Sequence, residues 1–385
     1  MRPLPAVLAA AFAVAGATGA RAQDSVFGIR GLGFLDRSVS GKSSALGGGF
    51  VLFDPAAAVN PASLAGWHST AGWAVAAGSD RSFDTGAGTA SLSATRFPVV
   101  GFAGNLGAKL VLAITASDYL DRNWSVQQTD TVSPRGTPVV ANDNTQSAGG
   151  VTDLRVAMAY RLPGLTLGVG LHALTGSTST SVNRQFPDDS SYIPFSNQQT
   201  TAYSGVGVSF GALASPIKNL LAAASVRFNG RMKASTGDTA ALVPLPVEVN
   251  GGLLFQPLTG VSFSGTVGYA AWSSAANALA ASGQVRSRNV WSAGAGVEAQ
   301  VWRVGRGVVP LRLGYRWRQL PFPIPTDSTG TTASILTEHA VTFGLGFDTA
   351  GGHATVDLGL ESGSRTAGAL SEGFTTLYFG LTIRP

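Results

Sequence analysis

PLRLGYRWR, residues 310–318, decides the fold. Leu311, Leu313, Tyr315 and Trp317 fall on one parity, while Arg312, Gly314, Arg316 and Arg318 fall on the other. A period of two is the signature of a strand with two unlike faces. The pattern recurs in AVTFGLGF (340–347), where Val341, Phe343, Leu345 and Phe347 oppose Thr342, Gly344 and Gly346. It recurs again in VDLGLE (356–361), with Asp357 and Glu361 against Val356, Leu358 and Leu360, and in LPVEVNG (245–251), with Glu248 and Asn250 against Val247 and Val249.

A soluble sandwich would show the same alternation with its apolar rows turned inward. Composition separates the two cases. Only 12% of residues are charged, about half the usual share of about 25%, and the polar rows are rich in Gly, Ala, Thr and Ser. Glycine accounts for 50 of 385 residues. The chain is poor in charge, yet beyond its first residues it has no apolar run long enough for a membrane helix. Lipid-facing strands reconcile these facts, because their apolar face appears only at every second residue.

The pattern predicts fourteen strands, near 68–78, 87–104, 108–131, 146–161, 165–186, 198–214, 220–235, 245–256, 261–273, 288–302, 308–320, 336–348, 353–364 and 373–384. After even-numbered strands the links are short: NLG (105–107), PG (163–164), SPIKN (215–219), PLTG (257–260), VGRG (304–307) and TAGG (349–352). After odd-numbered strands they are longer and polar, as in 178–199 and 321–332. An even count with unequal rims is the plan of an outer-membrane barrel. The expected fold is therefore all-β, a transmembrane antiparallel β-barrel of about 14 strands.

Cost orients the side chains. An arginine facing lipid at mid-membrane costs about 2–4 kcal/mol, against a total folding stability of about 5–15 kcal/mol. Arg312, Arg316 and Arg318 therefore face the lumen, together with Arg155, Arg227, Glu248, Glu298, Asp357 and Glu361. Trp73, Trp291, Trp302 and Trp317 fall near strand ends, where aromatic belts form.

The first residues read as a processing signal. Arg2 starts it, Val7 to Ala15 is apolar, and Ala20-Arg21-Ala22 is a small-x-small cleavage site. This divides the chain into a leader (1–22), an N-terminal hatch (23–67) and a barrel (68–385), and implies export to the cell outer membrane. The formal charge of +5 falls to +3 when Arg2 and Arg21 leave with the leader, which is too even for a nucleic-acid partner. No cysteine is present, which excludes disulfides, a thiol nucleophile and Cys-ligated zinc. No cofactor motif occurs.

SGKSSALGGG (40–49) ends like a phosphate-binding loop. That loop needs glycine five positions before its Gly-Lys pair, and Asp36 stands there. The stretch belongs instead to a small-residue-rich segment without strand alternation, which can plug a lumen too wide for side chains alone. Asp54-Pro55 and Asn60-Pro61 each join an N-cap residue to proline at the first helical position, so two helical turns are expected. Gly47 to Gly49 permit close backbone packing.

ALGGGFVLFDPAAAVNPASLAG (45–66) resembles the hatch signature of the outer-membrane long-chain fatty acid transporters of the FadL/TodX type and their PorV/PorQ-like relatives. LRLGYRWRQLPFP (311–323), TEHAVTFGLGF (337–347) and VDLGLESGSR (356–365) resemble their late strands. The resemblance places Gly47 and Gly48 at the glycine pair, Asp54 at an acidic position, and Asn60, Pro61 and Ala62 at the Asn-Pro-Ala turn. It implies a barrel plugged by its hatch and, in the transporter branch, a hydrophobic ligand released sideways through the wall. Asp54 stands without a second acid, and the chain ends LYFGLTIRP instead of on an aromatic residue.

Two functions follow. One is a passive channel for hydrophobic small molecules such as fatty acids, with a wall kink at Pro98, where proline removes a ladder bond. The other is a PorV-like barrel in which loops bind a protein partner and no ligand crosses. The interior charges either guide a carboxylate or pair with one another. Apolar loop residues around Phe186, Tyr192, Phe195 and Phe322 form a landing site or simply pack. Catalysis finds no support: His68, His172, His339 and His353 are scattered, and neither a Gly-x-Ser-x-Gly elbow nor a His-Glu-x-x-His pair is present, which leaves open only a Ser-His-acid site dispersed over adjacent strands.

Overall fold

Two-faced rows of this kind bury their polar side only if the sheet curls and closes on itself, and it does. The computed structural model describes residues 26–35, 39–84, 89–133, 136, 138–187, 191–281, 286–304, 307–325, 333–349, 353–368 and 370–384. The expected leader and its cleavage site lie outside them. A two-residue strand β1 (Phe34–Leu35) precedes the wall. The first wall segments are β2 (Ala71–Asp84), β3 (Thr89–Leu106), β4 (Leu110–Asp121), β5 (Trp124–Val132), β6 (Val139–Leu162), β7 (Leu165–Gln185) and β8 (Phe195–Ile217). There follow β9 (Leu220–Asn229), β10 (Arg231–Thr236), β11 (Thr239–Pro244), β12 (Val247–Leu258) and β13 (Val261–Ala270). The last are β14 (Val290–Val304), β15 (Gly307–Pro325), β16 (Ala333–Thr349), β17 (Ala354–Ala367) and β18 (Leu370–Ile383).

These segments build fourteen antiparallel barrel strands, because β4–β5, β9–β10 and β11–β12 are each one strand interrupted by a bend. The breaks have local causes. Gly230 donates its N–H to the Val206 carbonyl as a bulge in the β8 ladder, and Pro246, before β12, has no N–H to donate. The ring closes where β18 pairs with β2, from Ser371 opposite Asp84 to Ile383 opposite Gly72.

The faces sort as their chemistry requires. Leu313 and Tyr315 on β15 are 47% and 48% exposed on the outer surface, whereas Arg312 and Arg316 are 3% and 4% exposed. Val341 and Phe343 point outward on β16, with Thr342 buried between them. Trp291 and Trp302 lie on the outer surface. Trp73 does not: it is buried inside, stacked on Trp67 at 5.2 Å between ring centroids. Its row on β2 is the bulky one, and Gly101 on β3 leaves room for the indole, which would touch any Cβ placed there. The opposite row, Gly72, Ala74 and Ala76, is the small one.

At the short-turn rim, 163–164 and 218–219 reverse the chain in two residues, with Gly164 and Asn219 at φ of 70° and 67°. The other rim corrects an expectation. Its polar stretches run largely as strand: β6, β7 and β8 are 24, 21 and 23 residues long, about twice what a tilted strand needs to cross a bilayer. The links β10–β11 and β17–β18 span only two residues each. Thr, Ser and Asn keep the alternation there, and cross-strand pairs satisfy the backbone. Arg184 grips both oxygens of Asp143 at 2.6 Å and holds that carboxyl below its ordinary range. This pairing is present at neutral pH and is lost only as pH falls through the lowered value. In the expected landing cluster, Phe322 is buried, edge-on to Trp272, while Phe195 stays exposed.

Candidate functional site

The described residues ahead of the barrel, 26–35 and 39–70, are packed within it. Ser40 caps a helix at Gly41–Ala45, its Oγ accepting from Ser43 N at 3.0 Å, so the Gly-Lys-Ser stretch makes a capped helical turn. Asn60 caps a 3-10 helix at Pro61–Gly66 and accepts from Ala62 N at 3.0 Å. The helical turn expected at Asp54 is absent. Asp54 Oδ1 closes a local turn on Ala56 N at 2.9 Å, while Oδ2 takes the hydroxyls of Ser40 and of Ser43, the latter at 2.6 Å. Asp54 thus makes a cap-type bond with one oxygen although no helix follows, and with the other it ties the Gly41–Ala45 helix to the following loop. Asn60 Nδ2 adds a bond to the Leu52 carbonyl at 2.8 Å.

Glycines in the wall seat this segment. A Cβ on Gly314 would lie 2.3 Å from Gly47 N, one on Gly294 2.4 Å from Gly47 O, and one on Gly296 2.6 Å from Leu46 O. On the facing side, a Cβ on Gly211 would lie 1.9 Å from Asn60 Oδ1, and one on Gly168 2.3 Å from Ala62 N. Gly47 and Gly48 themselves turn with φ of 61° and 78°. The segment thus lies backbone against backbone between β7–β8 and β13–β15, and its end is clamped by Arg161, which donates to Ala65 O and Trp67 O at 2.8 and 2.5 Å. Charged hydrogen bonds contribute about 1.5–3 kcal/mol each. Arg161→Ala should therefore free the Ala65–Trp67 end, read as faster hydrogen exchange there with the barrel amides unchanged.

The interior charges pair in groups along both walls. Lys42 of the segment donates to Glu298 at 3.0 Å, Arg312 joins Glu298 at 2.6 Å and Asp357 at 2.5 Å. Higher in the lumen Arg316 meets Glu361 at 2.6 Å and Glu338 at 2.7 Å, Arg318 meets Glu338 at 2.6 Å, and Arg365 bridges Glu338, at 2.6 Å, to Glu372. On the other wall Arg227 donates to Asp153 at 2.7 Å, and Glu248 accepts from Asn229 at 3.1 Å. Arg155 donates to Thr115 at 3.2 Å.

Two cavities flank the segment. One, of about 330 Å³, is polar and bordered by Lys42, Asp54, Glu298, Arg312 and Asp357. The other, of about 240 Å³, is bordered by Leu52, Val59, Tyr119, Arg227, Trp272 and Leu320. Residues 46–59 stand between them.

Among the described residues, the wall is interrupted beside Pro98. β3 pairs with β4 only from Leu106 opposite Leu110 up to Val99 opposite Ser117. Pro98 is the next residue. It supplies no N–H for the next rung, and Phe97–Pro98 bulges against the single residue Ala76 on β2. Beyond it, Leu120 and Asp121 of β4 pair with Leu35 and Phe34 of β1, and an Arg96–Asp121 ion pair crosses the break.

The structure thus gathers Gly47, Gly48, Asp54, Asn60, Pro61 and Ala62 into the packed segment, sets Pro98 at the wall break, and distributes the nine expected interior charges along both walls. Sequence reasoning missed Lys42, Arg161, Glu338, Arg365 and Glu372, although strand parity would have turned Glu338 and Arg365 inward. It also missed that His172 lies between Asp153 and Ser209, with ring nitrogens 2.9 and 2.8 Å from their oxygens. Among the described residues no cluster suited to a metal ion occurs.

These features define a class: a closed fourteen-stranded barrel whose lumen is filled by its own N-terminal segment. The fold is that of the FadL/TodX-type transporters. A FadL homologue of Pseudomonas aeruginosa superposes with a TM-score of 0.60 at 12% identity, over 91% of this chain and 99% of that one. The toluene transporter TbuX of Ralstonia pickettii gives 0.60 at 12% identity, over 90% and 98%. The toluene transporter TodX of Pseudomonas putida gives 0.53 at 16% identity, over 93% and 99%. No protein-family model and no curated protein matches the sequence.

Proposed function

We propose that this chain is an outer-membrane channel for passive entry of hydrophobic small molecules, with long-chain fatty acids among its ligands. Removal of the 1–22 leader would precede its insertion among outer-membrane lipids. The observation that carries the reading is the break in the wall at Pro98, closed by β1 of the same segment that divides the lumen. A ligand captured at the long-strand rim enters the cavity bordered by Tyr119 and Trp272, the segment shifts as a hatch, and the ligand leaves sideways where β3 and β4 part. The shared fold with transporters of toluene and other hydrophobic compounds supports it.

The test is uptake of labelled fatty acid and labelled toluene by liposomes holding the purified barrel. Wild type should exceed empty vesicles severalfold, and Asn60→Ala, which removes the cap and the bond to Leu52 O, should change the rate. Uptake equal to empty vesicles for both ligands and both proteins ends the channel reading.

One observation favours a second reading, a PorV-like scaffold that binds a protein partner. The lumen is crowded with paired charges, and β6–β8 extend a polar sheet well beyond the apolar belt. That reading expects no uptake, with a partner retained by the isolated β5–β8 face.

A further inference from the structure

Asp153, His172 and Ser209 sit on the inner faces of three successive strands, β6, β7 and β8. The register places His172 opposite Gly207 and Ser209 opposite Gly170, so the glycines let the larger side chains lean diagonally toward each other. His172 Nδ1 lies 3.0 and 2.9 Å from the two Asp153 oxygens, and Nε2 lies 2.8 Å from Ser209 Oγ. Both spacings fall in the range of about 2.6–3.2 Å that joins a nucleophile to its base and the base to its orienting group. Arg227 holds Asp153 from behind at 2.7 Å. With Asp153 accepting at Nδ1, the imidazole carries its proton there and turns a lone pair to the serine hydroxyl.

A fourth side chain passes beside the same spot. Arg155 is 1% exposed, and its Nη1 and Nη2 have no hydrogen-bond partner among the described residues. Buried polar atoms left unsatisfied in this way call for an explanation. Ser209 Oγ, Arg155 Cδ and His172 Nε2 all lie within 3.5 Å of the position a Cβ on Gly170 would take. A reacting carbonyl there would meet a hydroxyl and its base, with the Arg155 side chain alongside.

We propose that Ser209, His172 and Asp153 form a serine-hydrolase site for small apolar carboxylic esters, with Arg155 stabilising the oxyanion. The inference goes beyond the channel reading and does not depend on it. Ser209 Oγ attacks the carbonyl carbon as its proton passes to His172 Nε2, and the carbonyl oxygen becomes an oxyanion facing Arg155. The C–O bond to the alcohol breaks, and the leaving oxygen takes the proton from His172. Water then gives a proton to His172 and attacks the acyl carbon, releasing the carboxylic acid and returning the proton to Ser209. Asp153 is a positioning residue. The turn at Asn60–Ala62 covers the site, since Asn60 packs on Gly211, the next inward position after Ser209.

The test uses the full-length barrel in detergent, a small fluorophosphonate that traps nucleophilic serines, and p-nitrophenyl butyrate. We expect an adduct mapped by mass spectrometry to Ser209, formed faster in Asn60→Ala. Both adduct and ester cleavage should fall at least about 100-fold in Ser209→Ala and His172→Ala and persist in the control Ser225→Ala. Asp153→Asn should lower the rate and change the pH profile of labelling, which a purely structural role would not do. The proposal is overturned if neither wild type nor Asn60→Ala, each migrating as a folded barrel, acquires the adduct. Equal labelling of His172→Ala overturns it as well.

Discussion

Glu338→Ala is expected to lower the unfolding stability of the barrel by about 3–5 kcal/mol, the cost of removing one partner from a buried ionic group. Glu338 is fully buried and meets Arg316, Arg318 and Arg365 at once. Arg316 and Arg365 would retain Glu361 and Glu372, but Arg318 would keep no carboxylate, only the Leu35 carbonyl at 3.2 Å and the face of the Phe34 ring. Such a loss is a large part of the about 5–15 kcal/mol that a folded domain commands. A urea titration read by the shift in gel mobility between folded and unfolded barrel measures it. The double variant Glu338→Met, Arg318→Met restores charge balance among the remaining four groups and should recover at least half of the loss. If Glu338→Ala unfolds at the wild-type urea concentration, the network is solvated and the packed lumen is wrong.

Gly314→Leu should unseat the N-terminal segment. Its Cβ would lie 2.3 Å from both Gly47 N and Leu46 C, and backbone on both sides leaves nothing flexible to yield. Overpacking of a core costs about 1–3 kcal/mol, and here displacement of the segment is the available relief. Trypsin should then cut after Lys42, whose side chain is held against Glu298 in the intact protein, while the barrel remains resistant. Gly251→Leu is the control, because nothing lies within 4 Å of its Cβ position. Equal protection of Lys42 in Gly314→Leu and wild type would show that the segment does not rest on the wall.

The wall was legible in the sequence because lipid and lumen impose opposite costs on alternate residues. Arg312, Arg316 and Arg318 leave β15 only one orientation. Where both rows are cheap to expose, that signal fails. The β2 row of Trp73 points inward because Gly101 makes room for it, a cross-strand fact no local window contains. The acid partners were equally hidden: Glu338 meets Arg318 because β16 pairs with β15 in one register, and a slip of one residue would turn it outward. Asp54 makes the cap-type bond expected of it, yet no helix follows, and its second oxygen binds Ser40 and Ser43 from an earlier helix that no local window links to it. His172 is silent in sequence, since Asp153 and Ser209 reach it only through two strand pairings.

The account turns on whether ligand passes where β1 meets β4. Leu35 and Leu120 are cross-strand partners, with the Cα spacing of about 4.5–5.5 Å of an antiparallel pair, inside the range a disulfide spans. The chain has no cysteine of its own, so Leu35→Cys with Leu120→Cys installs one switchable lock. Fatty acid uptake by liposomes should fall to the empty-vesicle rate when the pair is oxidised and return to the wild-type rate on reduction. Equal uptake in the oxidised and reduced states would contradict passage through the wall.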